Sequence, residues 1–353
     1  MIDWVTFIAP LDHDMSDRGP FYAGEVLSTQ PDPTSPDGVG LEWGILKRKK
    51  FPSSWDTVIQ VKSCTDETGR PSLWVSGNPS KWFQGHNVFG SDDLPGLVLE
   101  MLHRICASVG VEPSANNLAE WSAHAVKLTR VDITYSFQLG TVGRVRAALR
   151  ALDQTANLKH RGRGHYRGDS LTFGEKSRRW SLTLYAKGPE LKIHKLPFCL
   201  VETSIPALAD GLLRAECRLL SMELVAEQLD RLSSWGDNTP AESHFRYMMA
   251  LQIADSSMID APTFDGLSGR LQLAYQSWKA GHDLRATLSR PTFYRYRSEL
   301  LPFGVDIAVK QARSESEQSN VVPLRTVLHA QPFHVPDWAL GTPFYFEPRA
   351  KAA

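Results

Sequence analysis

Apolar and polar residues alternate with a period of two in three stretches of the chain. In residues 181–187, Leu182, Leu184 and Ala186 fall in one row and Ser181, Thr183, Tyr185 and Lys187 in the other. Side chains on a strand point alternately to opposite faces, so this stretch predicts a strand that sets a phenol beside an ammonium. In residues 130–137 the row Val131, Ile133, Tyr135, Phe137 opposes Asp132, Thr134 and Ser136. In residues 212–219 the row Leu213, Ala215, Cys217, Leu219 opposes Arg214, Glu216 and Arg218. If one sheet holds all three strands and packs its apolar face on helices, its open face collects Tyr185, Lys187, Asp132, Glu216 and several arginines. The alternative is a solvated polar face without chemistry, which antiparallel sheets often have.

The rest of the pattern supplies the layers around those strands. Residues 2–8 and 72–75 read as strands, and residues 11–40, rich in Asp, Pro, Ser and Gly, as mostly loop. The basic run Lys47-Arg48-Lys49-Lys50 reads as a solvated turn or a phosphate contact. Residues 79–90 are dense in turn formers and aromatics. Leu94, Leu97, Val98, Met101, Leu102, Ile105 and Val109 recur at helical spacing and predict a core-packed helix over 94–109. Val142, Val145, Leu149 and Leu152 predict another over 141–152. The basic, glycine-rich stretch 159–168 reads as a mobile loop, and 171–174 with 180–187 as a hairpin. Strands separated by two helices and closed by a hairpin define an α+β fold, an antiparallel sheet packed on helices.

Beyond Glu216 the pattern turns helical, over 222–232, 242–254 and 267–280. Residues 267–280, 283–288 and 289–303 predict three successive helices with short breaks, the logic of a helix-turn-helix in a smaller helical domain. In the last of them Phe293, Tyr296, Leu300 and Leu301 form an apolar stripe. Arg290, Arg295 and Arg297 lie largely off it, facing guanine edges and phosphates or belonging to a plain surface helix. The predicted domains are 1–235, 236–310, and a linker with an extended tail over 311–353.

Composition narrows the partners. The 353 residues are 42% hydrophobic and 22% charged, which is ordinary globular composition. Lys+Arg and Asp+Glu both number 39, so the formal net charge is zero and no whole-molecule field draws in nucleic acid. Contact with DNA must rest on local basic patches. The cysteines, without close paired spacing, read as reduced structural thiols. The first residues lack the basic and long apolar regions of a signal peptide, and no segment nears the roughly 20 apolar residues that span a bilayer. A cytoplasmic protein with no membrane partner is expected.

Taken in order, several motifs resemble the replication initiation proteins of filamentous bacteriophages, the gene II product family of rolling-circle initiators. They are Met1-Ile2-Asp3, Gln84-Gly85-His86-Asn87-Val88-Phe89-Gly90, Arg130-Val131-Asp132, Glu175-Lys176-Ser177-Arg178 with Leu184-Tyr185-Ala186-Lys187, Gly211-Leu212-Leu213-Arg214-Ala215-Glu216, and Asn320-Val321-Val322-Pro323-Leu324. The heptad is the specific match; the shorter ones gain weight from their shared order. The resemblance implies an enzyme that nicks the plus strand of the double-stranded replicative form at its origin. It would stay on the new 5′ end through a tyrosine and later reclose the displaced circle. Tyr185 matches that tyrosine, and a phosphotyrosine stores the bond energy, so ligation needs no nucleotide cofactor. The implied partners are duplex origin DNA, its plus single strand and a host helicase, with a homodimer on DNA left open.

Around that tyrosine, Lys187 would lower the phenol pKa, neutralise the scissile phosphate, or be an ordinary surface lysine. Asp132 and Glu216 are hard oxygen ligands suited to Mg²⁺ or Mn²⁺, or else ion-pair partners of Arg130, Arg214 and Arg218, which otherwise face DNA. Many rolling-circle initiators carry a His-hydrophobe-His metal motif that is absent here, so His86 is a third ligand, a DNA contact or a loop-capping histidine. Glu190 falls on the opposite face from Tyr185 unless Gly188-Pro189 bends the chain. Two rivals stand beside the enzyme: a non-catalytic DNA-binding regulator that keeps the sheet as scaffold, and an RNA-binding or structural phage protein, for which the aromatic sheet motif of an RNA-recognition fold is missing.

Overall fold

The computed structural model describes residues 1–31, 39–158, 162–253, 269–279, 282–301, 305–308 and 333–348. The chain divides into two units, one made of Met1–Ile253 with Val327–Ala353 and the other of Ala254–Thr326. The alternating pattern of β1 (Ile2–Pro10) buries Val5, Phe7 and Ala9. Next come β2 (Gly24–Pro31), β3 (Val39–Leu46), β4 (Lys49–Pro52), β5 (Val58–Thr65) and β6 (Pro71–Gly77). The hairpin β2–β3 falls where loop was expected, and part of the basic run enters β4 instead of remaining a turn.

Three helices separate these strands from the next. The first, α1 (Pro79–Gln84), occupies the turn-rich stretch because Asn78 caps its amides, Pro79 suits its first turn and Gly85 ends it in the left-handed region at φ 80°. A Cβ on Gly85 would meet Trp55 and Leu200 within 3 Å, so the close approach also requires glycine. The expected amphipathic helix is α2 (Leu94–Val109), capped by Asp93, and α3 (Ala115–Ser122) follows with a Ser114–Asn117 capping box. Trp121 of α3 donates its indole N–H to the Pro10 carbonyl, tying this helix to β1.

The central strand β7 (Lys127–Gln138) leads through α4 (Val142–Thr155) to the short β8 (Ala156–Leu158), β9 (Gly162–Arg163) and β10 (His165–Tyr166). These last two strands lie in the basic stretch read as a loop, whose residues 159–161 are outside the described residues. The hairpin β11 (Ser170–Phe173) and β12 (Trp180–Ala186) is followed by α5 (Lys187–Ile193), α6 (Phe198–Val201) and α7 (Ile205–Asp210). Then β13 (Leu212–Leu220), α8 (Ser221–Ala226), α9 (Thr239–Met249) and β14 (Leu251–Ile253) complete the unit. The helix expected over 222–232 thus stops at Ala226. The boundary expected at 235 moves as well, because α9 and β14 stay with the sheet: the His244 ring stacks edge-on to Tyr135 of β7 and bonds the Ala215 carbonyl of β13.

An antiparallel sheet of nine strands runs β10-β11-β12-β13-β7-β1-β6-β5-β4, and β14-β8-β9 forms a smaller one. One face of the large sheet is the apolar row read from the sequence: Leu182, Leu184, Val131, Ile133, Leu213, Ala215, Cys217 and Leu219 are fully buried there. Helix α4 lies against β11 and β12, and α8 and α9 against β7. Each large aliphatic side chain buried in this way contributes roughly 1.5–3 kcal/mol. A second core of Val88, Phe89, Leu191, Leu200, Ile205, Ala209 and Leu212 takes in Phe333, Val335, Phe344 and Tyr345 from the C-terminal stretch. Residues 333–348, expected to be an extended tail, are therefore part of the first unit's packing. The other unit comprises α10 (Gly269–Lys279), α11 (Leu284–Thr287) and α12 (Arg290–Leu300) around Leu271, Tyr275, Leu284, Phe293 and Leu300.

Candidate active site

Strand register sets the open face. Tyr185 of β12 pairs with Arg214 of β13, and Arg214 with Ser136 of β7. Two residues along lie Thr183, Glu216 and Thr134; two further, Ser181, Arg218, Asp132 and then Trp4 of β1. Directly opposed residues of antiparallel strands share a face, so these are three polar rows spaced about 7 Å apart. Tyr185, Asp132 and Glu216 share this face as the alternation predicted, with Tyr185 and Asp132 two rows apart.

The row of Tyr185 is dry. Arg214 is completely buried and spends its guanidinium on three neighbours: Nε donates to Ser136 Oγ at 3.1 Å, Nη2 to the Val88 carbonyl at 2.5 Å, and Nη1 to the Asn87 carbonyl. Asp3, whose Oδ1 lies 3.9 Å from Nη1, supplies the opposite charge and accepts from Asn87 Nδ2 at 2.7 Å and Asn78 Nδ2 at 3.0 Å. Burial alone would raise the Asp3 carboxyl; Arg214, then Lys187 and the Asn87 bond outweigh it and hold the group below its ordinary value. Burial pushes the Tyr185 phenol well above its ordinary pKa, with Arg214 opposing. The phenol of the free protein therefore keeps its proton.

Lys187 is neither on the strand nor at the surface. It opens α5 as a fully buried residue, its Nζ 6.0 Å from the Tyr185 ring centroid. Pro189 suits a first helical turn, and a Cβ on Gly188 would stand 2.2 Å from Asp210, so the chain turns into a helix there. That turn brings Glu190 round: Lys187 Nζ donates to Glu190 at 2.5 Å and to Asn87 Oδ1 at 2.8 Å. Desolvation, reinforced by Arg214, lowers the Lys187 pKa to about 7, while Glu190 and Asp3 pull the other way.

In the second and third rows the carboxylates are already paired. Arg130 holds Asp132 through Nε at 2.8 Å and Nη2 at 2.5 Å, and Arg218 bridges Asp132 at 3.2 Å and Glu216 at 3.2 Å. Burial, then the nearby Asp132 and Asp3, raises the Glu216 pKa to about 8. A Mg²⁺ or Mn²⁺ ion assigned to Asp132, Glu216 and His86 does not fit this arrangement. The Arg218 guanidinium fills the place between the two carboxylates. His86 is elsewhere, buried, with Nδ1 accepting from the Val88 amide at 3.2 Å and Nε2 on the Phe344 carbonyl at 2.8 Å. Desolvation takes its pKa down to about 4. Among the described residues no group of three His, Cys, Asp or Glu side chains is placed to hold a metal ion.

The heptad Gln84–Gly90 acquires a physical meaning here. Gln84 Nε2 donates to the Phe89 carbonyl at 2.6 Å and its Oε1 accepts from the Phe346 amide at 2.8 Å, while His86 locks the same loop to Phe344. The locked loop presents Asn87, which joins Asp3 to Lys187, and the two carbonyls that fix Arg214. Asp3, Asn78, Asn87 and Glu190 are the site residues that alternation misses. Asp3 sits where the β1–β7 register shifts between Ile2 and Trp4, so strict alternation would have placed it with Val5 and Phe7 on the apolar side.

In the helical unit, Arg290 and Arg295 are exposed, whereas Arg297 is held by Asp306 through two bonds of 2.7 Å. Leu301 of the expected stripe is 45% exposed and Phe293 and Leu300 carry the packing. Among the described residues no helix is long and apolar enough to cross a membrane.

Residues 1–238 match the N-terminal family of the replication-associated protein that is the phage gene II product, and residues 269–349 match the C-terminal family of the same protein. The chain belongs to this family of phage replication-associated proteins. It is 34% identical over 342 residues, 95% of each chain, to the replication-associated protein of Enterobacteria phage I2-2. It is also similar to the rolling-circle replication initiator protein of Geobacillus stearothermophilus, at 11% identity and a TM-score of 0.34 over 74% of this chain and 88% of that one.

Proposed function

We propose that the chain is a rolling-circle replication initiator that cuts and rejoins one strand of phage origin DNA through Tyr185. The observation that carries the proposal is the buried pair of cationic side chains, Arg214 and Lys187, set against the buried phenol on the polar face of the sheet. The phenolic oxygen attacks the scissile phosphorus, forming the Tyr–O–P bond while the bond to the 3′ oxygen breaks. The departing 3′ oxygen takes up the proton that the phenol releases, and the reverse attack by a 3′ hydroxyl restores the phosphodiester and frees the tyrosine.

Because the phenol holds its proton in the free protein, the proton leaves as the new bond forms. Lys187 is the group we assign to receive it: near neutral pH its amine is partly uncharged, and Glu190 and Asn87 hold it in place. Arg214 lies across the strand pair from the phenol, and its positive charge stabilises the developing negative charge in a water-poor site, where such interactions are strong. Arg130 and Arg218, both partly exposed, face the DNA backbone. No step is drawn through a metal ion, since Asp132, Glu216 and His86 are committed to other bonds. A non-catalytic regulator would have no use for a buried amine and guanidinium beside a tyrosine.

The test is incubation with supercoiled replicative-form DNA and Mg²⁺, followed by denaturing gels. A nicked circle whose new 5′ end carries the protein is expected. Nicks with free 5′ phosphates would overturn the proposal.

A further inference from the structure

The open face does not end at the acidic and basic row of Asp132. In the same row stands Trp4, and beyond it Thr6 of β1 pairs with Ser76 of β6 and Ser76 with Gln60 of β5. Two residues from Ser76, Trp74 lies on this face opposite Lys62. Neither tryptophan is buried: each is partly exposed and has a cation over its ring. Arg130 stands 5.1 Å from the Trp4 centroid, and Arg48 and Lys62 stand 4.9 and 5.5 Å from that of Trp74. The Trp4 indole N–H donates to Ser76 Oγ at 3.1 Å, which fixes its plane. An antiparallel sheet that needed only solubility would expose charge here without two indoles.

We propose that this half of the face is a binding lane for single-stranded DNA, with bases stacked on Trp4 and Trp74 and the strand continuing to Tyr185. The inference rests on the nicking reading, whose substrate it extends into a path. Indoles accept any base on their π faces, and the cations now lying over them would move to the phosphates between stacked bases. Charge complementarity favours this occupant. Arg48, Lys50, Lys62, Arg130 and Arg218 line the lane, and its acids Asp132 and Glu216 are already paired with arginine. From β12 to β6 there are four strand steps. At about 4.8 Å a step and about 7 Å a row, Trp4, three steps and two rows away, lies roughly 20 Å from Tyr185, and Trp74, four steps and four rows away, roughly 34 Å, about six and ten nucleotides at 3.4 Å apiece. The lane thus reaches from the nick site to both tryptophans without requiring the other unit.

The experiment uses the full chain with Tyr185→Phe, so that no cleavage intervenes, and a fluorescent 20-nucleotide oligo-dT. Trp74→Ala and Trp4→Leu are each expected to weaken binding about tenfold, with Trp74→Phe in between, as stacking on an aromatic ring requires. Unchanged affinity in both variants, with unchanged melting, would overturn the proposal. Should a variant fail to fold, photocrosslinking of the unsubstituted lane to 5-iododeoxyuridine decides instead: adducts on Trp4 or Trp74 support it, adducts confined to other peptides refute it. Tighter binding of oligo-U than of oligo-dT would also refute it, by making RNA the occupant. The nucleophile reading fails separately, on whether Tyr185→Phe still forms a protein-linked 5′ end.

Discussion

The two halves of one sheet face treat charge in opposite ways. Around Tyr185 the cations are withdrawn from water: Arg214 and Lys187 are fully buried and each of their side-chain nitrogens donates to an acceptor. Around Trp4 and Trp74 the cations are partly or fully exposed and rest on indole rings, Arg130 while also bonded to Asp132. In the dry half a charge acts at short range and sets the protonation of its neighbours, which is why a lysine there titrates near neutrality. In the wet half the same charges are screened within about 8–10 Å, suited to a mobile polyanion and to little else. On the proposed reading, chemistry and grip are thereby separated on one surface.

The largest effect that would break this division is on catalysis. Tyr185→Phe removes one hydroxyl from the dry half and should lower nicking of supercoiled DNA by about 10⁴-fold or more, as loss of a nucleophile does. The melting temperature should hardly move, since the ring still packs. A variant that nicks at the original rate would place the chemistry elsewhere.

Next comes the stability of the dry half itself. Arg214→Met leaves Asp3 buried without its counter-charge and strips donors from two carbonyls, which should cost about 3–5 kcal/mol in urea unfolding. Combining it with Asp3→Asn should recover part of that loss. A cost below about 1 kcal/mol would show the pair to be solvated, erasing the contrast with the Trp4 side.

Glu216 sharpens the comparison because it borders both halves. Its folded pKa of about 8 lies above the ordinary 4.5, so ionisation opposes folding. The neutral carboxyl's advantage is full below pH 4.5 and is lost as pH rises through 8. Glu216→Gln should therefore gain stability on the wild type between pH 5 and 9, by a few kcal/mol. Parallel stability curves over that range would mean the carboxyl is already ionised.

The smallest expected effect lies in the helical unit. Arg295→Ala, at an exposed site, should weaken binding to an origin duplex several-fold, through one contact to base or phosphate. Cleavage of a single-stranded oligonucleotide carrying the nick site should persist. Arg297→Ala should instead lower stability, because it removes the two-bond pair with Asp306. Loss of single-strand cleavage by Arg295→Ala would tie this unit to the chemistry.

Much of this was legible in the sequence wherever period alone decides. The rows of β7, β12 and β13 and the helix at 94–109 follow from alternation and helical spacing, and they place Tyr185, Asp132 and Glu216 on one face. What period could not show is where it breaks. The register shift before Trp4 turns Asp3 toward Arg214, and the helix that begins at Lys187 turns Glu190 toward the same amine. Both depend on contacts remote in sequence, Asn87 above all. The reading of Asp132, Glu216 and His86 as one ligand set failed for a related reason: residue types suited to a metal are equally suited to an arginine or a backbone carbonyl. Trp4 and Trp74 escaped notice because the strands pairing them to Arg130 and Lys62 had to be seen as neighbours first.

The central claim is that Tyr185 becomes covalently joined to DNA. Trypsin releases it in the peptide Trp180-Ser181-Leu182-Thr183-Leu184-Tyr185-Ala186-Lys187. After reaction with origin DNA, exhaustive nuclease digestion and trypsin, mass spectrometry should find this peptide heavier by a nucleotide linked through the phenol of Tyr185. A nucleotide on another tyrosine, or an unmodified peptide from protein trapped on its DNA, would contradict the account.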